Sequence, residues 1–273
     1  MSKSKKNENE VEVMEVQRGV VQFCILGTTP LIMNRMAAKA MNELLLPRGK
    51  LTTADKANNL KHDPVSEYRN SVHQTPRGDS LLAVPSTAFK SAMANAAIDI
   101  PGTAAKAQIG RMSYVEGEYV NVFGAPKLHM AVVRMADMNR TPDIRTRAIL
   151  PEWACRITVA FVKPTLTATT IARLLAGAGM MQGVGDFRVQ KGKGNFGSFK
   201  LVDEDDADWQ RIISEQGREV QRLGLDNPEC YDVETAELLQ TYHGELAKRE
   251  LCKAEPTEKK AKKAKGNDQE EAA

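Results

Sequence analysis

The apolar positions of this chain fall into short runs of two kinds, continuous or alternating for strands and spaced by three and four for helices. "VVQFCILG", Val20 to Gly27, is a nearly continuous run of β-forming residues and predicts a buried strand. "TTPL" breaks it, and Asn34 to Leu46 then favours helix by propensity, with Asn34 as its N-cap. Leu81 to Val84 predicts a short strand stopped by Pro85. Ser86 or Thr87 then caps a helix whose Phe89, Met93, Ala96 and Ala97 share one face. "RMSYVEGEYVNVFG" and "KLHMAVVRMA" alternate and predict strands joined near Gly124 to Pro126. "DMNRTPDIRTRAILPEW" reads as a basic loop, and "ACRITVAFVKP", Ala154 to Pro164, as a further strand. A helix capped by Thr167 runs to about Met180 and turns Ile171, Leu174, Leu175 and Ala178 inward. "GSFKLV" predicts a last strand.

Stripped of insertions, the order is β-α-β-β-α-β, the split arrangement of ferredoxin-like and RNA-recognition folds, so the expected class is α+β. Two helices on one face of the sheet would leave the other face free for a partner. Residues 18–204 are expected to form this domain, with a polar insertion at 47–80 that carries Lys50, Lys56, Lys61, Arg69 and Arg77. Asp206 to about Glu219 and Val233 to Leu251 predict two amphipathic helices, making 205–251 a helical extension. The polar segment 1–17 and the charged tail 252–273 have no apolar face to repay ordering and are expected to be disordered.

Composition removes several function classes. No apolar run reaches the roughly 18 residues of a membrane helix, and the lysines near the start precede no apolar segment of a secretory signal. Cys24, Cys155, Cys230 and Cys252 form no C-x-x-C pair, which argues against zinc. Cys24 and Cys155 read as small core residues in a reducing, cytoplasmic compartment. The net charge of +3 says little, but Lys127 to Lys200 holds twelve Lys/Arg against four acids, and "DEDDADW" follows with the opposite sign. A local excess of this kind points to an anionic partner or to a solvated cationic surface.

"GVGDFRVQKGKGNFGSFKLV" concentrates the candidate chemistry. Gly183, Gly185, Gly192, Gly194 and Gly197 surround Arg188, Lys191 and Lys193. A dinucleotide loop must follow a strand and open a helix, whereas this stretch follows a helix and leads into a strand. A Walker loop needs Gly-Lys-Ser/Thr, which is absent. Two readings stay open. One is a backbone cradle, in which freed amides and cations hold phosphate; the other is a flexible β-turn or bulge. Phe187 and Phe196 stack on bases in the first and pack beneath the loop in the second.

"LLAVPSTAFKSAMANAA" together with the glycine stretch resembles the RAMP superfamily, the ferredoxin-like subunits that form the guide-RNA backbone of CRISPR surveillance complexes. The two segments come in that family's order, and "VVQFCILGTTPLIMN" fits its first strand. The chain resembles a divergent member, of the kind a phage or mobile element would encode. The resemblance implies binding of RNA or single-stranded nucleic acid. It places Ser86, Thr87 and Lys90 near the backbone of the strand, and Arg188, Lys191, Lys193 and the glycines on the opposite lip. It makes 47–80 a protruding thumb set against a neighbouring subunit. Arg134, Arg140, Arg145 and Arg147 have no counterpart there and are assigned on charge alone.

Members that cut RNA carry a histidine in the first helix region or an aspartate after the first strand, and Thr28 to Leu46 has neither. Asp137, Asp143 and Asp186 sit among basic residues and read as ion-pair or turn residues. The expectation is a non-catalytic nucleic-acid-binding protein without metal or cofactor, assembling with itself or related subunits along a strand. An RNA-processing endonuclease of the same fold, using His62 or His73, and a phage scaffold protein are the alternatives.

Overall fold

Strand β1, Gln17–Gly27, is central to the larger sheet. In this computed structural model, which describes residues 16–36, 41, 45, 62–134, 142–191 and 194–254, β1 is paired along both edges. It runs antiparallel to β9, Ala154–Lys163, from Gln17 opposite Lys163 to Leu26 opposite Ala154. It also pairs antiparallel with β10, Phe199–Val202. Over Cys24, Ile25 and Leu26, pairing on both edges and cover on both faces explain the apolar run. Val21, Phe23 and Ile25 join the main core, while Cys24 and Leu26 face a second, smaller cluster.

Beyond β9 lie β5, Ser113–Val115, and β6, Tyr119–Phe123. The order β10-β1-β9-β6-β4-β3 is completed by β4, Leu82–Pro85, and β3, His73–Gln74. A second sheet holds β2, Leu31–Ile32, then β8, Pro142–Leu150, then β7, Lys127–Arg134. Every pairing between these strands is antiparallel, and the architecture is α+β.

Helices α2, Ser86–Ala96, and α4, Ala168–Met181, lie side by side on the main core face. Phe89, Met93 and Ala96 of α2 are fully buried, as are Ile171, Leu174, Leu175 and Ala178 of α4. The helical spacing in the sequence predicted these faces. Thr167 caps α4 as expected, accepting from the Thr170 amide at 3.2 Å. The cap of α2 differs: Pro85 occupies the N-cap position with no side-chain bond, and the Ser86 amide donates to the Glu118 carbonyl in the turn between β5 and β6.

Three expectations change. The basic "loop" is strand β8, paired with β7 from Lys127 opposite Ile149 to Arg134 opposite Pro142. Its alternation puts Ile144, Thr146 and Ala148 on one face and Asp143, Arg145 and Arg147 on the other. The insertion is core in its second half. There α1, Pro64–Asn70, is capped by Asp63, and its Tyr68 is fully buried, with the hydroxyl 2.8 Å from the Gly224 carbonyl. Burial pushes the Tyr68 phenol above its ordinary range. The outer sheet face is only partly open. Helix α5, Ala207–Glu215, lays Trp209 and Ile212 over Cys24, Leu26, Phe123 and Ala154. Around Arg18, Val20 and Tyr114 that face remains exposed.

The remaining helices are α3, Lys106–Met112, then α6, Arg218–Asp226, and α7, Val233–Ala254. Gly217 divides the expected single helix into α5 and α6. Leu225 of α6 enters the main core, and Thr235 of α7 accepts a bond from the Met130 amide of β7, so the extension packs against both sheets. Residues 47–61, most of the helix expected over 34–46, and the tails at 1–15 and 255–273 lie outside the described residues. Among the described residues no helix is long and apolar enough to cross a membrane.

Candidate nucleic-acid interface

The glycine stretch leaves α4 through Gln182 and Gly183, whose amides both donate to the Ala178 carbonyl. The chain then doubles back. Residues 183–188 and 194–197 lie backbone against backbone, with the Val184 amide donating to Gly197 at 2.9 Å and Phe196 donating to Phe187 at 3.4 Å. Gly197 donates to Pro30 and Asp186 to Ile32, which ties the stretch to the segment around β2. A Cβ on Gly194 would overlap the Phe187 carbonyl, and one on Gly197 would overlap that of Val184.

This geometry corrects the cradle. The amides of Gly183, Val184, Asp186, Phe187, Gln190, Phe196 and Gly197 all donate inside the protein. Gly194 and Gly197 are glycine because two backbones touch there, not because amides face outward. The path onward from Gly197 leads straight into β10, so no helix opens there.

One side of the stretch forms a wall of a cleft of about 240 Å³. Gly183, Gly185 and Arg188 line it from one flank, and Thr87 and Ser91 of α2 from the other, with His73 and Asn34 at its edge. The two segments singled out in the sequence therefore meet here. Thr87 is exposed, Lys90 is half-buried one turn on, and Ser86 is buried. Arg188 donates to the Gly185 carbonyl at 3.1 Å and to the Gln190 side chain at 3.0 Å.

The cations divide. Arg147 lies on the hairpin face nearest the stretch, its Nε 3.9 Å from an Asp186 oxygen. Burial pulls its pKa down, opposed by the Asp186 carboxylate. Arg145 shares that face and is exposed. Arg134 lies on the opposite face of the same hairpin and leaves the group. Lys191 closes a short 3-10 turn at Val189–Lys191. Arg140, Gly192 and Lys193 lie outside the described residues. Among the described residues no carboxylate is within ion-pair distance of Arg145, Arg188 or Lys90.

The histidines have different surroundings. His62 holds Glu67 at 2.9 Å through Nδ1 and Asp143 at 3.0 Å through Nε2, so both ring nitrogens are engaged. His73 edges the cleft, and burial, aided by the Arg35 charge, holds its pKa below the ordinary histidine value. Its place follows from pairing with β4, a contact that no local pattern around His73 announces. Ser91 and Gln190 were not singled out by the sequence, and Asn34 was read only as a helix N-cap. Cys24 and Cys155 are free and buried, as the strand patterns predicted.

No family model matches the chain, and no curated protein matches it in sequence.

Proposed function

We propose that the protein is a non-catalytic binder of RNA or single-stranded nucleic acid that holds the phosphate backbone at the cleft between α2 and the glycine stretch. The observation that carries this reading is the convergence of Thr87 with Gly183, Gly185 and Arg188 on one cleft. Lys90 follows one turn along α2 and Arg145 shares the hairpin face of Arg147, and among the described residues neither pairs with a carboxylate. Hydroxyl and amide groups from Asn34, Thr87, Ser91 and Gln190 suit phosphate and sugar oxygens. Affinity then comes mainly from released counterions, with little reading of base edges.

The reading includes a ferredoxin-like core, for which the element order speaks. β1, α2, β5 with β6, β9, α4 and β10 follow one another as β-α-β-β-α-β, and the last strand lies beside the first. With the RAMP resemblance, this favours a subunit that associates with copies of itself or with related subunits along a strand.

The first test is to purify the protein, digest separate samples with RNase and DNase, and identify the nucleic acid that came with it. The Arg145→Glu/Arg188→Glu variant is then expected to bind single strands roughly a hundredfold more weakly by fluorescence anisotropy. Its salt dependence should flatten by about 0.7 per lost contact. Unchanged affinity and slope in a folded variant sink the proposal.

A second reading rests on His73. A neutral imidazole at the cleft edge is the form that accepts a proton from a ribose hydroxyl. His62 is engaged with two carboxylates and is a poorer candidate. If the protein cuts RNA, His73→Ala should abolish cleavage while leaving binding within about threefold. Wild-type protein that leaves all RNA intact rules this reading out.

A further inference from the structure

Phe187 is the one non-glycine residue in the left-handed backbone region among the described residues, with φ of 49°. The same stretch uses glycine at its other left-handed positions, Gly183, Gly185 and Gly197. Glycine or asparagine would hold this conformation with less strain. The backbone of Phe187 is pinned on both sides: its amide donates to Asp186 Oδ1 at 3.0 Å, and its carbonyl accepts from Phe196. The ring it carries adds little to the core. The residue is 47% exposed and belongs to neither hydrophobic cluster. A large aromatic side chain, held in a strained backbone and turned toward water, does not serve stability. Observed strain of this kind points to function.

The ring has company. Its centroid is 6.2 Å from Phe196, which is 6.4 Å from His129, which is 5.6 Å from Tyr231. This row of rings runs from the paired arms of the glycine stretch across the hairpin face that carries Arg145 and Arg147. Arg188 follows Phe187 in the chain and lines the cleft. An exposed flat ring beside cations suits an unpaired nucleobase whose phosphates the cations hold, because a base offers a π-face on a polyanion. A lipid surface would call for a broader apolar patch around the ring, and here its neighbours are Asp186 and Arg188.

We propose that Phe187 is a base-stacking residue, which makes the interface selective for strands with unpaired bases. The proposal rests on the phosphate-binding reading above and adds to it a contact that phosphate alone cannot make. It is tested with two probes of equal charge, an unstructured oligothymidine or oligouridine strand and an abasic strand with the same number of phosphates. Wild-type protein is expected to bind the base-bearing strand roughly tenfold more tightly than the abasic one. Phe187→Ala should erase that ratio and leave the salt slope unchanged. Phe187→Gly should erase it too while melting no lower than wild type, since it relieves the backbone, and Phe187→Trp should restore it. Equal wild-type affinity for both probes, or a ratio that survives in folded Phe187→Ala and Phe187→Gly, overturns stacking and leaves phosphate binding intact. Wild-type protein that binds neither probe overturns both.

Discussion

Gly197→Ala is expected to destabilise the protein by at least about 3 kcal/mol, seen as a fall of some 6 °C or more in melting temperature. Two costs combine. The residue has φ of 73°, where an L side chain is strained by about 1 to 2 kcal/mol. Its new Cβ would also overlap the Val184 carbonyl, and that carbonyl belongs to backbone with little room to retreat. Gly197 donates to Pro30 and accepts from Val184, so moving it strains two hydrogen bonds that hold the stretch against the β2 segment. Gly244 is the control. It lies within α7 with nothing within 4 Å of an added Cβ, and Gly244→Ala should stabilise by about 0.5 to 1 kcal/mol. Equal melting temperatures for the two variants would show that the backbone contact at Gly197 is not tight.

The same contact explains what could be read from the sequence here and what could not. Clustered glycines announce a place where backbone needs room, but not what fills it. In the cradle reading a ligand's phosphate fills it, and in the folded chain another arm of the same loop does. The deciding partner, the Phe187 carbonyl beside Gly194, is close in sequence, yet no composition rule states that the loop doubles back. The cleft was legible in halves. Thr87 and Arg188 each carried local signals, a strand stopped by proline and a basic glycine loop. Their meeting depends on α2 and α4 packing side by side, a tertiary fact that the apolar faces allow without dictating.

The strands show the same division. β1 and β9 were legible because burial on both faces forces apolar character at successive positions. β8 was not, because one of its faces carries Asp143, Arg145 and Arg147, and Thr141-Pro142 before them looks like a turn. Charge outweighed the alternation of Ile144, Thr146 and Ala148 beside it. The difference matters for the proposed function: a basic loop would be free to wrap a strand of nucleic acid. A hairpin instead fixes Arg145 and Arg147 on one side and sends Arg134 to the other. On the proposed reading, pre-set cations would lose less entropy on binding and would meet phosphates at a fixed spacing.

Gln221→Leu should cost about 3 to 5 kcal/mol, because one polar side chain bridges the amides where β4 begins to the Val122 carbonyl of β6. Gln221 is fully buried in α6. Its Oε1 accepts from the amides of Leu81 at 2.7 Å and Leu82 at 3.0 Å and from the Ser80 hydroxyl at 3.1 Å, and its Nε2 donates to the Val122 carbonyl at 2.8 Å. Leucine fills similar volume but leaves the buried Leu82 amide and the part-buried Leu81 amide without this acceptor, at about 1 to 3 kcal/mol each. Gln221→Glu separates shape from hydrogen bonding: it keeps the acceptor but loses the donor to Val122, and it buries a charge, so it should also destabilise. The consequence reaches the cleft. Leu82–Pro85 leads directly into α2, so loosening the start of β4 releases the element that carries Thr87. On the proposed reading, folded Gln221→Leu protein at low temperature should therefore bind single strands more weakly, and should regain affinity where a stabilising osmolyte restores its native melting transition. If it melts within 1 °C of wild type, other groups satisfy the two amides and this account of the β4 anchor is wrong.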